Sequence, residues 1–229
     1  MIPFEEIAGM IDHSLLKPFL TDKEIEEGCR LADTYQVASV CVRPSDVKLA
    51  LAVLQYSPVR VTTVIGFPHG TTTTHSKLEE TKEAIANGAV ELDVVIHIGK
   101  MKSGDYEYVK NDLEPIVTYA HANEVKVKII FENCFLTDKE IIKACEICNE
   151  LEVDWVKTST GYGTGGAEPA AIKIMRLYTK PTIQIKAAGG VRTLKQVIEM
   201  KKLGCTRVGA TATSDILKEL KREGDQKIF

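Results

Sequence analysis

The sequence lacks any run of apolar residues long enough to cross a membrane, and its first segment, MIPFEEIAGM, carries two glutamates where a secretory signal would be apolar. It also lacks a basic excess, because 29 Lys and Arg residues stand against 32 Asp and Glu residues, giving a net charge of -3 at pH 7. Binding to nucleic acids or to membrane surfaces would need a positive field. We therefore expect a cytoplasmic protein that has neither a membrane nor a nucleic acid as its partner.

Cysteine and histidine are present, but without the spacing of a metal site. Cys145 and Cys148 form a CxxC that falls inside a helical pattern and has neither a second pair nor a histidine at zinc spacing. His69 and His75 flank a run of threonines and also lack metal-ligand spacing. The six cysteines lie in apolar patterns, which predicts reduced thiols packed in a core and no bound metal. A redox or metal role for the CxxC is the less favoured alternative.

Helix starts are the clearest feature that the sequence does contain. In a capping box, the side chains of the first and fourth residues bind the free N–H groups at a helix start. Four segments match this pattern: Thr21–Glu24, Ser76–Glu79, Thr137–Glu140 and Thr193–Gln196. Pro115 lies inside a further helical pattern, so we expect a kink or a break in that helix.

Short apolar segments rich in Val, Ile and Thr alternate with these helices along the whole chain. Within most of these segments, apolar and polar residues do not alternate, which is typical of parallel strands buried on both faces. They comprise residues 38–42, 61–67, 90–96, 127–131, 154–158, 182–188 and 206–212, with a short first strand near Met10 to Asp12. Eight strand–helix units in 229 residues predict a single-domain α/β fold over residues 1–229, a TIM (β/α)8 barrel, with a doubly wound open sheet as the alternative.

A short repeat gives mild support to a barrel built from two halves. The segment LTDKEI occurs at residues 20–25 and again at residues 136–141. Aligning the two copies places Cys41 on Lys157. Because capping boxes also converge, the repeat alone does not decide the architecture.

Among the charged residues in these apolar strands, we single out three: Asp93, Lys157 and Lys186. A buried ion network that only specifies the fold would explain them, but buried ion pairs seldom stabilise a protein. Two lysines beside one aspartate leave a surplus of positive charge, which lowers a lysine pKa and favours a neutral, reactive amine. We therefore prefer a Schiff-base or general-base lysine near the C-terminal ends of the strands, where active sites of such barrels lie.

Glycine-rich segments follow the last strands. AAGGVRT (187–193) and VGATATSD (208–215) end the last two strands, and free N–H groups in such turns favour a phosphate. TGYGTGGAE (160–168) adds a third turn, whose glycine spacing faintly matches a dinucleotide fingerprint. We reject that interpretation because no suitable acidic residue follows it. Each glycine run on its own could equally be a tight turn.

Several long motifs together resemble the deoxyribose-phosphate aldolase family. They are IDHSLLKP (11–18), GFPHGTTTT (66–74), ELDVVIHIGKMKSGDY (91–106), VKTSTGYGTGGA (156–167) and IKAAGGVRT (185–193). The resemblance implies a TIM barrel and a metal-independent class I aldolase without a cofactor. The implied reaction is reversible cleavage of 2-deoxy-D-ribose 5-phosphate to D-glyceraldehyde 3-phosphate and acetaldehyde, in deoxyribose phosphate catabolism. It also implies a homo-oligomer, either a dimer or a tetramer.

The resemblance assigns roles to individual residues. It implies that Lys157 is the Schiff-base lysine, Lys186 a second lysine, Asp93 a proton-relay group and Asp12 an acidic neighbour of the second lysine. The residues that it places around the substrate are Cys41, Gly161, Gly189, Gly190, Val191, Arg192, Gly209 and Thr211.

Two positions depart from the family pattern. Some members have a basic residue where Tyr162 stands, and some end in a tyrosine that moves a proton, where this chain has Phe229. Two rival functions also stay open: another Schiff-base aldolase or transaldolase, and a non-catalytic barrel that binds sugar phosphates.

Overall fold

Eight parallel strands close into a barrel, each strand hydrogen-bonded to the next along the chain and β8 returning to β1. The structure is a computed structural model that describes residues 2–225. The strands are β1 (Ile11–Leu15), β2 (Ser39–Val42), β3 (Arg60–Ile65), β4 (Glu91–Val95), β5 (Lys126–Ile130), β6 (Trp155–Lys157), β7 (Gln184–Ala188) and β8 (Arg207–Ala210). The predicted barrel is confirmed, and the open sheet is excluded because β1 pairs with both β2 and β8.

Helices connect the strands and surround the barrel. They are α1 (Phe4–Ala8), α2 (Asp22–Tyr35), α3 (Val47–Val53), α4 (Thr74–Ala86), α5 (Ile98–Lys102), α6 (Tyr106–Ala122), α7 (Asp138–Leu151), α8 (Pro169–Tyr178), α9 (Leu194–Lys202) and α10 (Thr213–Asp225). Single 3-10 turns follow β2 and β5, at Pro44–Asp46 and Asn133–Phe135. Among residues 2–225, no helix is both long enough and apolar enough to span a membrane.

Three of the four predicted capping boxes are confirmed. Thr21, Thr137 and Thr193 each cap a helix, and the acidic or amide side chain in the fourth position returns a bond to the cap's own N–H. The box predicted at Ser76 is wrong. The Thr73 side chain caps α4 instead, accepting from the backbone N–H of Ser76. The run of threonines before Ser76 offers the same hydroxyl at an earlier position, and the helix begins there.

Helix α6 continues through Pro115, which excludes the predicted break, while the alternative, a kink, stays a prediction. Proline removes one backbone hydrogen bond from a helix. The buried face of α6 carries Val109, Leu113, Ile116 and Val117, whose burial in the core offsets that loss. Tertiary packing therefore decides the continuity of this helix.

The core lies between the strands and the helices that cover them. Strands β2 and β4 are buried at every position, as predicted for parallel strands with two covered faces. Cys145 and Cys148 are buried, free thiols on the inner face of α7, as the core interpretation predicted. The first strand runs further than expected, to Leu15, which brings the following loop to the end of the barrel.

Candidate active site

The barrel brings the three predicted strand residues into direct contact. Oδ2 of Asp93 on β4 lies 2.7 Å from Nζ of Lys157 on β6 and 2.8 Å from Nζ of Lys186 on β7. Lys157 and Lys186 are register partners on neighbouring strands, so their side chains leave the sheet side by side. All three residues are almost completely buried. A single carboxylate oxygen thus contacts both lysine nitrogen atoms.

Asp12 on β1 completes the pairing of Lys186. Its Oδ2 lies 2.5 Å from Nζ of Lys186, and its Oδ1 accepts a hydrogen bond of 2.7 Å from the hydroxyl of Ser39. Within residues 2–225, Lys186 therefore contacts two carboxylates, whereas Lys157 contacts one, that of Asp93. This asymmetry separates the chemistry of the two lysines.

A second group of buried charges lies next to this site, and sequence reasoning missed it. Lys128 on β5 binds Asp93 at 3.0 Å and Glu91 at 2.5 Å. Arg207 on β8 bridges Glu91, at 2.6 Å, and Asp12. The signal was present, since each of these residues interrupts an apolar strand in the same way as Asp93 does. Lys128 is even the register partner of Asp93.

The surrounding charges set different protonation states for the two lysines. Burial lowers the pKa of Lys157; Asp93 acts against this shift, and the neighbouring Lys186 adds to it. Burial alone would also lower the pKa of Lys186, but Asp12 and Asp93 outweigh it and raise that pKa above its usual value. The pKa of Asp93 lies well below its usual value because Lys128, Lys157 and Lys186 outweigh the effect of burial. Lys157 is therefore the lysine that loses its proton more readily.

A cavity of about 720 Å³ opens over the two lysines at the C-terminal end of the barrel. Every predicted site residue except Asp93 lines it: Asp12, Cys41, Lys157, Gly161, Lys186, Gly189, Gly190, Val191, Arg192, Gly209 and Thr211. Asp93 is fully buried and reaches the cavity only through its contacts with the lysines. Lining residues that the sequence did not single out are Ser14, Leu16, Lys17, Pro18, Phe19, Thr160, Ala188 and Ala210.

Cys41 faces this cavity as a neutral thiol. Burial raises its pKa to about 11, and the nearby carboxylate of Asp93 adds to the shift. A thiolate is the nucleophilic form of cysteine. Cys41 therefore contributes shape rather than a second nucleophile.

Glycine turns form the other end of the cavity. Gly161, Gly189 and Gly190 have φ values of 87°, 85° and 82°, in the left-handed region that favours glycine. Within residues 2–225, their backbone N–H groups have no hydrogen-bond acceptor in the protein. Gly166 packs so tightly against Gly189 that an added Cβ would meet its carbonyl oxygen at 2.2 Å. Unsatisfied N–H groups fixed by such turns can bind an anion.

Tyr162 joins the two loops that border the cavity. Its hydroxyl donates to the carbonyl oxygen of Leu16 at 2.8 Å, and its ring meets the ring of Phe67 edge to face. The loops after β1 and β6 are thereby connected across the opening. Where some relatives carry a cation, this chain has a bridging phenol.

Two remaining expectations concern metals and the C-terminus. Residues 2–225 contain no cluster of three or more His, Cys, Asp or Glu residues suited to a metal ion. Phe229, which stands in place of the terminal tyrosine of some aldolases, lies outside the described residues.

Comparison with known proteins finds many relatives of this chain. The profile of the DeoC/LacD family aldolases matches residues 7–212. The chain is 46% identical over 220 residues to the deoxyribose-phosphate aldolase of Rhodopirellula baltica, covering 96% of this chain and 91% of that protein. It is 47% identical to the deoxyribose-phosphate aldolase of Clostridium perfringens strain SM101, with 91% and 93% covered.

A solved structure agrees with the barrel. The tetrameric deoxyribose phosphate aldolase of Aeropyrum pernix superposes with a TM-score of 0.89 at 29% identity. The alignment covers 96% of this chain and 92% of that protein. The likeness therefore extends over almost the whole barrel.

Proposed function

This chain belongs to the DeoC/LacD family of aldolases, and from that premise we propose that Lys157 performs its chemistry. The protein is a lyase, a class I aldolase that reversibly cleaves 2-deoxy-D-ribose 5-phosphate to D-glyceraldehyde 3-phosphate and acetaldehyde. The observation that carries the role of Lys157 is its combination of burial, a lowered pKa and a position facing the cavity. Of the two lysines in the cavity, it is the one better suited to act as a neutral amine.

The first chemical step forms a Schiff base. The neutral amine of Lys157 attacks the C1 aldehyde of the open-chain sugar, and the resulting carbinolamine loses water to give a positively charged iminium. Asp93, 2.7 Å from Nζ, remains negative beside this charge and stabilises it. Lys186 cannot replace Lys157, because Asp12 and Asp93 keep it protonated.

The second step breaks the carbon chain. The C3 hydroxyl loses its proton, the C2–C3 bond breaks, and its electron pair moves into the iminium to leave an enamine on Lys157. Glyceraldehyde 3-phosphate departs as the aldehyde formed at C3. The enamine then gains a proton at C2, and hydrolysis releases acetaldehyde and the free amine. Asp93 and Lys186 carry these protons, with water as the mobile partner.

The glycine turns hold the phosphate in this scheme. Gly161, Gly189 and Gly190 offer N–H groups without protein acceptors at the cavity wall, and Val191, Arg192, Gly209 and Thr211 line the same region. A dianion fits such a wall because backbone dipoles stabilise it without a large change in the protein. Arg192 and Lys17 add exposed cations to the same cavity.

Trapping with borohydride tests this function directly. Borohydride reduces an iminium to a stable amine, so incubation with substrate should add mass to the peptide that contains Lys157. Lys157→Ala should abolish both labelling and turnover while leaving the fold intact. Labelling elsewhere with full activity would refute the assignment. Absence of any labelling would favour a non-catalytic barrel, and identification of the released aldehyde separates this aldolase from others.

Three further proposals concern the whole protein. Residues 1–229 form one catalytic domain, since the barrel runs from the first strand to the last. Copies of the chain associate, a proposal supported by the tetramer described for the Aeropyrum pernix relative. The protein acts in the cytoplasm, where its six thiols would stay reduced. Light scattering at several protein concentrations would test the association.

A further inference from the structure

Glu132 is a buried carboxylate beside the active site that the reaction scheme does not use. It lies two residues after the end of β5, is 2% exposed, and has a left-handed backbone with φ of 56°. Both features are costly for a glutamate, because the charged group loses water and the backbone is strained. Within the described part of the chain, no Lys, Arg or His forms an ion pair with it. Its environment must therefore compensate by hydrogen bonding.

The carboxylate of Glu132 binds one residue of the cavity wall. Both of its oxygens lie 3.3 Å from the backbone nitrogen of Thr160, and the Thr160 hydroxyl donates to Oε2. The same hydroxyl oxygen accepts a hydrogen bond of 3.0 Å from the backbone N–H of Tyr162. Glu132 thus determines where the turn from Thr160 to Tyr162 lies.

Neighbouring contacts leave little freedom at this junction. The backbone N–H groups of Phe131 and Asn133 donate to the carbonyl oxygens of Lys157 and Thr158, at 3.0 and 2.9 Å. A Cβ at Gly163 would come within 3.0 Å of the Glu132 carboxyl carbon. The segment around Glu132 is therefore hydrogen-bonded to the end of β6, the strand that carries Lys157. It also packs against the loop that follows β6 and leaves that loop little room to move.

The turn held in this way contains Gly161. Its φ is 87°, and it is one of three cavity-lining glycines that combine a left-handed backbone with a free N–H group in the described part of the chain. The other two, Gly189 and Gly190, come from a different loop, so the two loops must keep a fixed separation to share one anion. A carboxylate that binds both the amide and the hydroxyl of Thr160 provides that constraint on one side.

We propose that Glu132 is a positioning residue for substrate phosphate, acting through Thr160 on the amide of Gly161. This inference rests on the proposed function. It assigns to Glu132 no contact with substrate and no proton transfer. Its effect should appear in the binding of a phosphorylated substrate and not in the chemistry at Lys157.

The test compares two substrates in Glu132→Gln. The amide has one acceptor oxygen in place of two and adds N–H donors that face the donors of Thr160. We expect KM for 2-deoxyribose 5-phosphate to rise by about tenfold or more, because a weaker hold on Thr160 displaces the Gly161 amide and weakens its hydrogen bond to the charged phosphate. The kcat/KM for unphosphorylated 2-deoxyribose should change by less than about twofold, because that sugar does not need the phosphate wall. Equal losses on both substrates, or no loss on either, would overturn the proposal.

Variants at Thr160 keep the test decisive if Glu132→Gln folds poorly. Thr160→Val is nearly isosteric and should reproduce the selective rise in KM, whereas Thr160→Ser keeps the hydroxyl and should retain nearly normal KM. Asp112→Asn is a matched control, because that buried carboxylate also accepts from a threonine hydroxyl, of Thr74, but lies away from the cavity. Asp112→Asn should lower the free energy of unfolding and leave the ratio of the kcat/KM values for the two substrates unchanged.

The result can be separated from a failure of the proposed function. Borohydride labelling of Lys157 with acetaldehyde involves no phosphate and should persist in Glu132→Gln. If the unaltered protein does not label at Lys157, the proposed function fails. If it labels and Thr160→Val shows no selective change in KM, the role of Glu132 fails alone.

Discussion

Replacing Lys186 with leucine tests why the cavity contains two lysines rather than one. Leucine keeps much of the apolar volume and removes the charge. In the unaltered protein Lys186 stays protonated and its charge disfavours a second ammonium at Lys157. Without it, Asp93 would face Lys157 with one cation fewer. The ammonium form of Lys157 should therefore become more stable.

The structure sets the size of this effect. Both lysines bind Oδ2 of Asp93, at 2.7 and 2.8 Å, so their nitrogen atoms are at most about 5.5 Å apart. At an effective dielectric constant of about 20, two positive charges at that distance repel by about 3 kcal/mol. An energy of that size changes the ratio of ammonium to amine roughly a hundredfold. The rise of Schiff-base formation with pH should therefore move to higher pH.

The assay is the rate of borohydride labelling at Lys157 with acetaldehyde, measured across a range of pH. Below the rise, the variant should label roughly a hundredfold more slowly than the unaltered protein. Turnover should fall as well, since Lys186 also carries protons. Lys77→Leu is the matched control, because Lys77 is another buried lysine, paired with Asp112 and outside the cavity. Lys77→Leu should lower the free energy of unfolding without shifting the pH dependence of labelling at Lys157.

One outcome would refute the reasoning. If Lys186 only fills the barrel as the partner of Asp12 and Asp93, its loss would lower the free energy of unfolding alone. The labelling curve of Lys186→Leu would then coincide with that of the unaltered protein, as for Lys77→Leu. Such a result would assign the lowered pKa of Lys157 to burial without help from its neighbour.

Two other predictions concern phosphate and acid stability. Gly190→Asp would place a carboxylate at the proposed phosphate wall and should raise KM for the phosphorylated sugar by the equivalent of about 2 to 4 kcal/mol. The KM for unphosphorylated deoxyribose should change much less. Equal losses on the two substrates would mean that Gly190 only forms a structural turn. Burial lowers the pKa of His13 to about 4. At a pH between that value and the usual histidine pKa, the unfolded chain binds a proton that the folded protein does not. The free energy of unfolding should therefore fall by about 3 kcal/mol as the pH decreases through this range. Denaturant unfolding at neutral and acidic pH measures this effect, and His13→Asn should lose less stability on acidification than the unaltered protein. An equal loss in both proteins would contradict the reasoning.

The barrel could be predicted because its signals are local. Each strand is a short apolar segment, and three helix starts are marked by a threonine and its partner within one turn. The two departures from expectation have different causes. Ser76 matches a capping box, but an earlier threonine takes that role, and the packing of α6 carries the helix through Pro115. The sequence contains the first competition, in its run of threonines, but not the second, which depends on tertiary packing.

The site was predictable only in part, for a related reason. Asp93, Lys157 and Lys186 were identifiable because a charge inside an apolar strand is costly wherever the strand packs. Which oxygen pairs with which nitrogen depends on strand register and barrel closure, so the second carboxylate of Lys186 could not be derived from the spacing of the residues. Lys128, Glu91 and Arg207 satisfied the same criterion and were missed, although Glu91 lies in the same strand as Asp93.

The internal repeat shows where the chemistry itself resides. Helices α2 and α7 begin after equivalent threonines and end at left-handed residues, Gln36 and Glu152. In the strands that follow, Cys41 and Lys157 occupy the same place, and both side chains face the cavity. Equivalent backbone positions thus carry a thiol with a raised pKa in one half and an amine with a lowered pKa in the other. Burial favours the neutral form of both groups, and the neutral form is the nucleophile for the amine but the inactive form for the thiol. The reactivity therefore depends on which side chain occupies the position rather than on the barrel that places it there.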